Sequence, residues 1–494
     1  MLDVRLTDRV PGADALAVPV RPAAGAAADR DSTVDGVTAG YGAERLPADV
    51  VAFLADAGAS GAAGKVDTLP LPGGAPPVAY LVGVGAAAPA DLRRAGAAAV
   101  RAAAGRAERG LRHLAVTLGH GADPDAVRGL VEGVCLGAYR YSLKSKIPQA
   151  LRKVTVVVDE PARYADALGR GLATARATCT ARDLINTPAL RKSPAWLAGR
   201  AERWLSPLGV AVRVRGEDEL AAEGFNGILA VGGGSDRGPR LVEARWAPRG
   251  ARGPRVVLVG KGITFDTGGL SIKPVEGMVG MKTDMAGGAA VLGALAAAAE
   301  LRLPLRVTAL VPVAENAVSG ASYRPSDVIR HYGGRTTEVR NTDAEGRVVL
   351  ADALAYAAAR LRPDLLADVA TLTGAVRVSL GTTTGGLFAT DDVLADQLLA
   401  AAAAAGEKLW RLPMPVEYEE LVDSDVADGN NAAGSPGAVT AALFLRPFTA
   451  GVPWAHLDIA GAARASSDDA EISRGGTGFG VRLLVRWLEN LAAV

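Results

Sequence analysis

Cysteine, histidine and lysine are all scarce in this chain, and each scarcity removes a class of function. The two cysteines in 494 residues, Cys135 and Cys179, are too few for a disulfide scaffold and too far apart for a redox or metal pair. The four histidines, His113, His120, His331 and His456, fall outside any ligand spacing and read as structural, so a metal site would be built from oxygen and amine donors. No apolar run reaches a membrane span. The longest mildly apolar stretch, Ala286 to Ala299, is Ala/Gly-rich and bounded by Asp284 and Glu300. The opening MLDVRLTDRV lacks the basic segment and apolar run of a signal peptide, so a cytoplasmic protein without a membrane partner is expected. A net charge of +1 gives no global attraction to nucleic acid.

The shortage of lysine is the most telling. Only nine of the 54 basic residues are lysine, yet Lys261, Lys273 and Lys282 fall within the single run VGKGITFDTGGLSIKPVEGMVGMKTDM. Arginine is planar and always charged, whereas lysine is a compact donor whose neutral amine can hold a metal. Asp266 and Asp284 are interleaved with these lysines, as in a site where amines and carboxylates share a cation.

The length calls for more than one domain. VAYLVGVG (Val78 to Gly85), LRHLAVTLG and LRKVTVVVDE read as strands, with a helix over Asp91 to Glu108 between the first two. Pro161 to Arg182 reads as one long connecting helix. Beyond it FNGILAVGGGS, RVVLVG, LRVTALVPV, LLADVATLTG and WAHLDIAG read as apolar strands. They are separated by helices such as Ala286 to Ala299 and Leu350 to Leu361. The expected fold is α/β in two domains. A smaller N-terminal α/β domain (1–160) and a connecting helix (161–182) precede a larger catalytic α/β domain (183–494), with a central mixed sheet flanked by helices. Chemistry in such domains gathers at strand ends.

Three segments converge there. RVVLVG ends before Lys261, with Asp266, two glycines and Lys273 following, and MKTDM places Asp284 just before an Ala/Gly-rich helix, where the helix N-terminus favours a carboxylate. In NTDAEGRVVLADALAYA an extended stretch would project Asp343, Glu345 and Arg347 on one side. Four carboxylates (Asp266, Asp284, Asp343, Glu345) and the amine of Lys261 can balance two divalent cations. Ions about 3.5–4 Å apart share and acidify a water and polarise a carbonyl or phosphoryl oxygen. Oxygen-rich ligation suits Mn²⁺ and Mg²⁺ as well as Zn²⁺. Lys261 would bind only as the neutral amine, and Lys273 and Arg347 would face a developing oxyanion.

The runs VGKGITFDTGGLSIKP, MKTDMAGGAAV and NTDAEGRVVLADAL closely resemble the signatures of the leucyl aminopeptidases, two-metal cytosolic exopeptidases. The resemblance continues through ARDLINTPAL, YRPSDVI, DVATLTGA and WAHLDIAGAA, and so covers Asp183 to Val494. It implies that Lys261, Asp266, Asp284 and Glu345 hold the tighter metal, and that Asp266, Asp343 and Glu345 hold the more exchangeable one. It further implies that Lys273 polarises the scissile carbonyl, and that Arg347 positions a bicarbonate which relays a proton. Met281, Asn341, Thr371, Leu372, Gly374, Ala460 and Ala463 would bind substrate, and of these Met281, Thr371, Gly374, Ala460 and Ala463 would line an apolar specificity pocket. Ala463 stands where some relatives carry methionine. Thr267 replaces a commoner serine, and Arg377 falls where an apolar residue is frequent. Peptide substrates and a homohexamer, a dimer of trimers, are also implied.

Other patterns fall short. Gly83, Gly85 and Ala88 form a GxGxxA turn without the acid a dinucleotide site needs. Arg94 and Arg101 could share a helix face toward DNA, but a solvated or intersubunit face is the simpler reading. A DNA-binding hexamer and a narrow dipeptidase, for instance for Cys-Gly, stand as alternatives.

Overall fold

The computed structural model describes residues 2–22, 37–46, 49–119, 121–146 and 149–493, and His120 lies outside them. It divides into two compact units, Met1–Arg176 with Ser467–Ser473, and Ala177–Ser466 with Arg474–Val494.

The first unit is built on seven strands: β1 (Asp3–Thr7), β2 (Ala15–Pro22), β3 (Val37–Ala39), β4 (Val66–Pro70), β5 (Val78–Gly83), β6 (His113–Gly119) and β7 (Lys153–Val158). Their order is β1-β7-β6-β2-β5-β4, with β3 paired to β2. The run from β1 to β5 is parallel and β4 is antiparallel. The turn after β5 leads into the helix Pro89–Ala104. A Cβ on Gly83 would lie 2.1 Å from the Ala62 carbonyl oxygen, so this glycine permits backbone packing. On that helix Arg101 pairs with Asp468 at 2.6 Å and donates to the carbonyls of Ala470 and Ile472, while Arg94 lies 3.9 Å from Asp469. Arg101 therefore spends its charge within the unit, while Arg94 stays partly solvated. The segment expected as one helix from Pro161 begins instead as a 3₁₀ turn, Pro161–Tyr164, and continues as the α-helix Ala165–Asn186.

The second unit carries β8 (Ala211–Arg215), β9 (Arg240–Trp246), β10 (Arg255–Gly260), β11 (Gly262–Asp266), β12 (Arg306–Asn316), the short pair β13 (Val328–Arg330) and β14 (Thr336–Glu338), β15 (Leu365–Ala370), β16 (Thr384–Ala389), β17 (Lys408–Arg411) and β18 (Trp454–Asp458). The main sheet runs β17-β16-β18-β15-β10-β12-β9-β8, with β11 added to β12. Pairings among β18, β15, β10 and β12 are parallel, and β9 and β16 join antiparallel, giving the expected mixed sheet. Successive strand residues point to opposite faces. Val256 and Leu258 enter one core with the helices Ala286–Glu300 and Val481–Ala492, while Val257 and Val259 enter a second with Glu345–Tyr356 and Gly437–Leu445. Among the described residues no helix is long and apolar enough to cross a membrane.

One expected strand is wrong. FNGILAVGGGS holds the helix Asn226–Gly232, which buries Ile228 and Val231 and has the Ile228 N–H bonded to Asp352 at 2.9 Å. A short apolar run cannot by its periodicity separate a buried strand from a buried helical turn.

The helix Ala286–Glu300 is buried at every position but its last. Alanine and glycine let its first turn touch the sheet backbone: Gly288 N–H donates to the Lys261 carbonyl at 2.7 Å. A Cβ on Gly287 would stand 1.9 Å from the Val369 carbonyl oxygen on β15. We therefore expect Gly287→Ala to lose about 1–3 kcal/mol of stability, the usual penalty of overpacking. Gly320, with nothing within 4 Å of its Cβ position, should tolerate alanine. Thermal melts of the two variants check this, and equal midpoints would contradict it.

Candidate metal centre

The carboxyl ends of β10 and β15 and the end of β11 bring the three suspected segments together. Lys261 follows β10 directly, its backbone N–H donating to the Val369 carbonyl at 3.0 Å. Its Nζ lies 2.8 Å from Asp284 Oδ2, 2.7 Å from Glu345 Oε1 and 3.1 Å from the Thr371 carbonyl. A Cβ on Gly346 would come within 2.6 Å of that Nζ, so glycine is needed for the lysine to lie against the helix Glu345–Tyr356. Asp266 ends β11. Its Oδ1 accepts from Gly268 N–H at 2.9 Å and Asn316 Nδ2 at 2.8 Å, and Lys273 Nζ sits 2.8 Å from Oδ2. Lys273 also pairs with Asp343. The chain returns from Asp266 to Lys273 through Gly268 and Gly269, both at positive φ.

Asp343, Glu345 and Arg347 arrive differently from the extended reading. The helix already begins at Glu345, so Glu345 and Arg347 lie in its first turn and Asp343 precedes it. One oxygen each from Asp266, Asp343 and Glu345 all lie within 4.8 Å of one another, a spacing that suits a cation.

Four carboxylates thus surround the ammonium groups of Lys261 and Lys273. Asp284 Oδ2, Asp343 Oδ1 and both oxygens of Glu345 are buried, and none accepts a hydrogen bond of good geometry, although lysine nitrogens stand near three of them. Buried acceptors left this way are costly. Burial pushes the Glu345 carboxyl up to about 8, helped by Asp266, and the Asp284 carboxyl up to about 6. Burial opposes the charge on Lys261, yet Asp284 and Glu345 hold its pKa above the ordinary value. Burial likewise opposes Lys273, and Asp266 leads the groups that raise it. The donor set is therefore right for metal: hard oxygens with one amine that a dication would deprotonate. Arg347 is buried, its pKa pushed down to about 10, and its Nε finds no partner among the described residues.

The expected substrate residues gather unevenly. Thr371 touches the cluster, its hydroxyl donating to Asp284 Oδ1 at 2.7 Å. Met281, Asn341, Leu372 and Ala460 are half-buried and Gly374 is exposed, whereas Ala463 is 2% exposed within a core. Lys282 leaves the lysine trio: its Nζ donates to the Asn186 carbonyl at 2.9 Å. His113, His331 and His456 lie outside the cluster, bonded to Thr155, Asp352 and Asp368.

Sequence reasoning missed the supporting polar residues. Asn316 ties Asp266 to the Thr342 carbonyl, and Tyr323 donates to that carbonyl at 2.7 Å. Asp458, fully buried, accepts from the N–H groups of Leu372, Thr373 and Ala460, joining both loops that carry expected pocket residues. Lys192, also fully buried, donates to the carbonyls of Leu184, Ile185 and Lys282 and pins the turn before Asp284. Each of Asn316, Asp458 and Lys192 has at least one partner tens of residues away along the chain, and no local motif marks them.

The raised acids make a pH prediction. In metal-free protein Glu345 and Asp284 bind protons more tightly folded than unfolded. Their contribution is complete below the ordinary carboxylate range and is lost as pH rises through about 6 and then about 8. The melting midpoint of chelator-treated protein should fall between pH 5 and 8.5, and added Mn²⁺ should reduce the fall. A midpoint that climbs over this range contradicts the assignment.

Comparison with known proteins agrees in both units. Residues 179–485 match the catalytic domain, and residues 37–146 the N-terminal domain, of the cytosol aminopeptidase family. A probable cytosol aminopeptidase of Roseiflexus castenholzii is 47% identical over 74% of this chain and 77% of its own. One of Micrococcus luteus is 43% identical over 96% and 99%. Among solved structures, the bottromycin maturation enzyme BotP in complex with Mn superposes with a TM-score of 0.83 at 42% identity, covering 90% of this chain and 98% of that one. Family models that match both halves of the chain, with relatives alike along nearly its whole length, leave one conclusion: it belongs to the cytosol aminopeptidase family and is a metal-dependent hydrolase acting at peptide N-termini.

Proposed function

We propose that the chain is a two-metal aminopeptidase that releases leucine and other apolar residues from peptide N-termini in the cytoplasm. The observation that carries this reading is the set of buried carboxylate oxygens that two lysines leave without hydrogen bonds. Lys261, Asp266, Asp284 and Glu345 would hold the tighter ion, and Asp266, Asp343 and Glu345 the more exchangeable one, with Mn²⁺ or Zn²⁺ favoured and Mg²⁺ admissible. Bound there, the ions would acidify a water and polarise the peptide carbonyl.

The chain's own groups do the rest. Lys273 Nζ, held between Asp266 and Asp343, keeps its charge and donates to the carbonyl oxygen as negative charge develops on it. Arg347, with its Nε free, is suited to hold a small anion such as bicarbonate, whose oxygen would carry a proton across the site. A free α-amine has a lone pair that a bound ion would accept and an acylated amine does not, which would account for attack at the first residue only. Met281, Asn341, Thr371, Leu372, Gly374, Ala460 and Ala463 are uncharged and none is aromatic. A substrate carboxylate among them would be desolvated without a partner. A homohexamer remains part of this reading, and light scattering tests it. The likeness to a bottromycin maturation enzyme supports a narrower alternative, a single dedicated substrate, which a panel of peptides would expose as activity confined to one sequence.

Two sets of measurements test the reading. Chelation should abolish hydrolysis and Mn²⁺ or Zn²⁺ should restore it. Lys261→Arg should lose metal, since a guanidinium donates no lone pair, while Lys273→Ala should keep the metal and turn over about 100- to 1,000-fold more slowly. Normal rates and metal content in Lys261→Arg would overturn the ligand set. On aminoacyl-amides, Leu and Met should be good substrates and Phe tolerated, each fitted methylene worth about 1–3 kcal/mol. Preference for Asp or Glu would overturn the pocket.

A further inference from the structure

Asp343 is the least enclosed of the cluster's acids, with its side chain 32% exposed, and it sits on an irregular loop between β14 and the helix Glu345–Tyr356. Packing alone does not fix such a residue. The preceding Thr342 is held by Asn316, Tyr323 and Ser271, and the N–H of Asp343 itself is held by a relay of two carboxamides. Asn341 Oδ1 accepts from Asp343 N–H at 2.8 Å. Asn341 in turn is gripped by Asn431, a fully buried residue that arrives from a distant loop. Asn431 Oδ1 accepts from the N–H groups of Arg340 at 2.8 Å and Asn341 at 3.2 Å, and its Nδ2 donates to the Asn341 carbonyl at 2.7 Å.

The grip begins as backbone pairing. Glu338 N–H donates to the Gly429 carbonyl at 2.8 Å and Asn431 N–H to the Glu338 carbonyl at 3.1 Å. Beyond that point the Asn431 side chain takes over and offers Arg340 and Asn341 the acceptor and donor that a neighbouring strand would supply. Two N–H groups and one carbonyl require both an acceptor and a donor on one short side chain. Asparagine meets that demand here, and aspartate and leucine do not.

Resting on the metal-site reading above, we propose that Asn431 is a positioning residue for the ligand loop and that, through Asn341, it sets where Asp343 stands. Groups that orient ligands without touching the metal typically govern about 10- to 100-fold in metal affinity. The adjacent Asn430 provides a matched control. It is equally buried, but among the described residues its side chain bonds only the carbonyls of Leu421 and Asp423 and the N–H of Ala432, within its own loop.

The experiment is calorimetric titration of Mn²⁺ into metal-stripped full-length protein, with thermal melts in chelator alongside. Asn431→Ala and Asn431→Asp should bind the weaker-held Mn²⁺ about 10- to 100-fold less tightly. Asn430→Ala should lower the melting midpoint and leave the affinity close to wild type. Asn431→Asp keeps both acceptor contacts and the side-chain volume, so it decides the matter if the alanine variant does not fold. Wild-type affinity in the Asn431 variants, or an equal loss in Asn430→Ala, overturns the proposal. Failure of wild-type protein to take up Mn²⁺ would instead sink the metal-site reading beneath it.

Discussion

Three buried carboxylates and the part-exposed Asp343 stand against two lysine ammonium groups, and the rest of the catalytic unit is arranged around that imbalance. Isolated buried carboxylates are expensive, and like charges at this spacing raise one another's pKa. The protein does not relieve the strain with further arginines or histidines, although arginine is its usual cation. Arg347 stays beside the cluster without bonding any of its acids among the described contacts. A site held short of positive charge is one prepared to receive it, and the folding energy of the surrounding sheet is what keeps the acids together until it arrives.

Small residues make the convergence possible. The lysine after β10, the helix that follows Asp284 and the helix that opens with Glu345 all approach one another at backbone distance. That requires glycine at 287 against β15, at 346 against Lys261, and at 268 and 269 where the chain turns back. The alanine richness of the chain, which on composition alone suggests only helix, serves here to bring helix termini up to strand ends. Polar side chains such as Asn316, Asp458 and Asn431 then fix the loops whose backbone has left regular pairing.

Much of this was legible in the sequence because the ligands cluster in three short motifs at strand ends. The mixed α/β fold followed from apolar strands alternating with helices, and Lys261, Asp266, Lys273, Asp284, Asp343 and Glu345 do come together. Lys282 misled because neighbours in sequence need not share a face: its turn directs the amine to the end of the preceding long helix. FNGILAVGGGS misled because burial on all sides erases periodicity, and Asp343 to Arg347 because a helix start looks like an extended segment when three polar residues alternate. Asn316, Asp458, Lys192 and Asn431 were invisible for a different reason. Most of their contacts run to backbone atoms, several of them on distant segments, and backbone atoms carry no sequence signal.

The central claim is that the cluster formed by Lys261, Asp266, Asp284, Asp343 and Glu345 holds two cations. Crystals grown with Mn²⁺ and measured at its absorption edge test it most directly. The account predicts two anomalous peaks per chain, both within bonding distance of Asp266 and Glu345, one also contacting Lys261 and Asp284 and the other Asp343. A single peak, or strong peaks only elsewhere in the molecule, would contradict it.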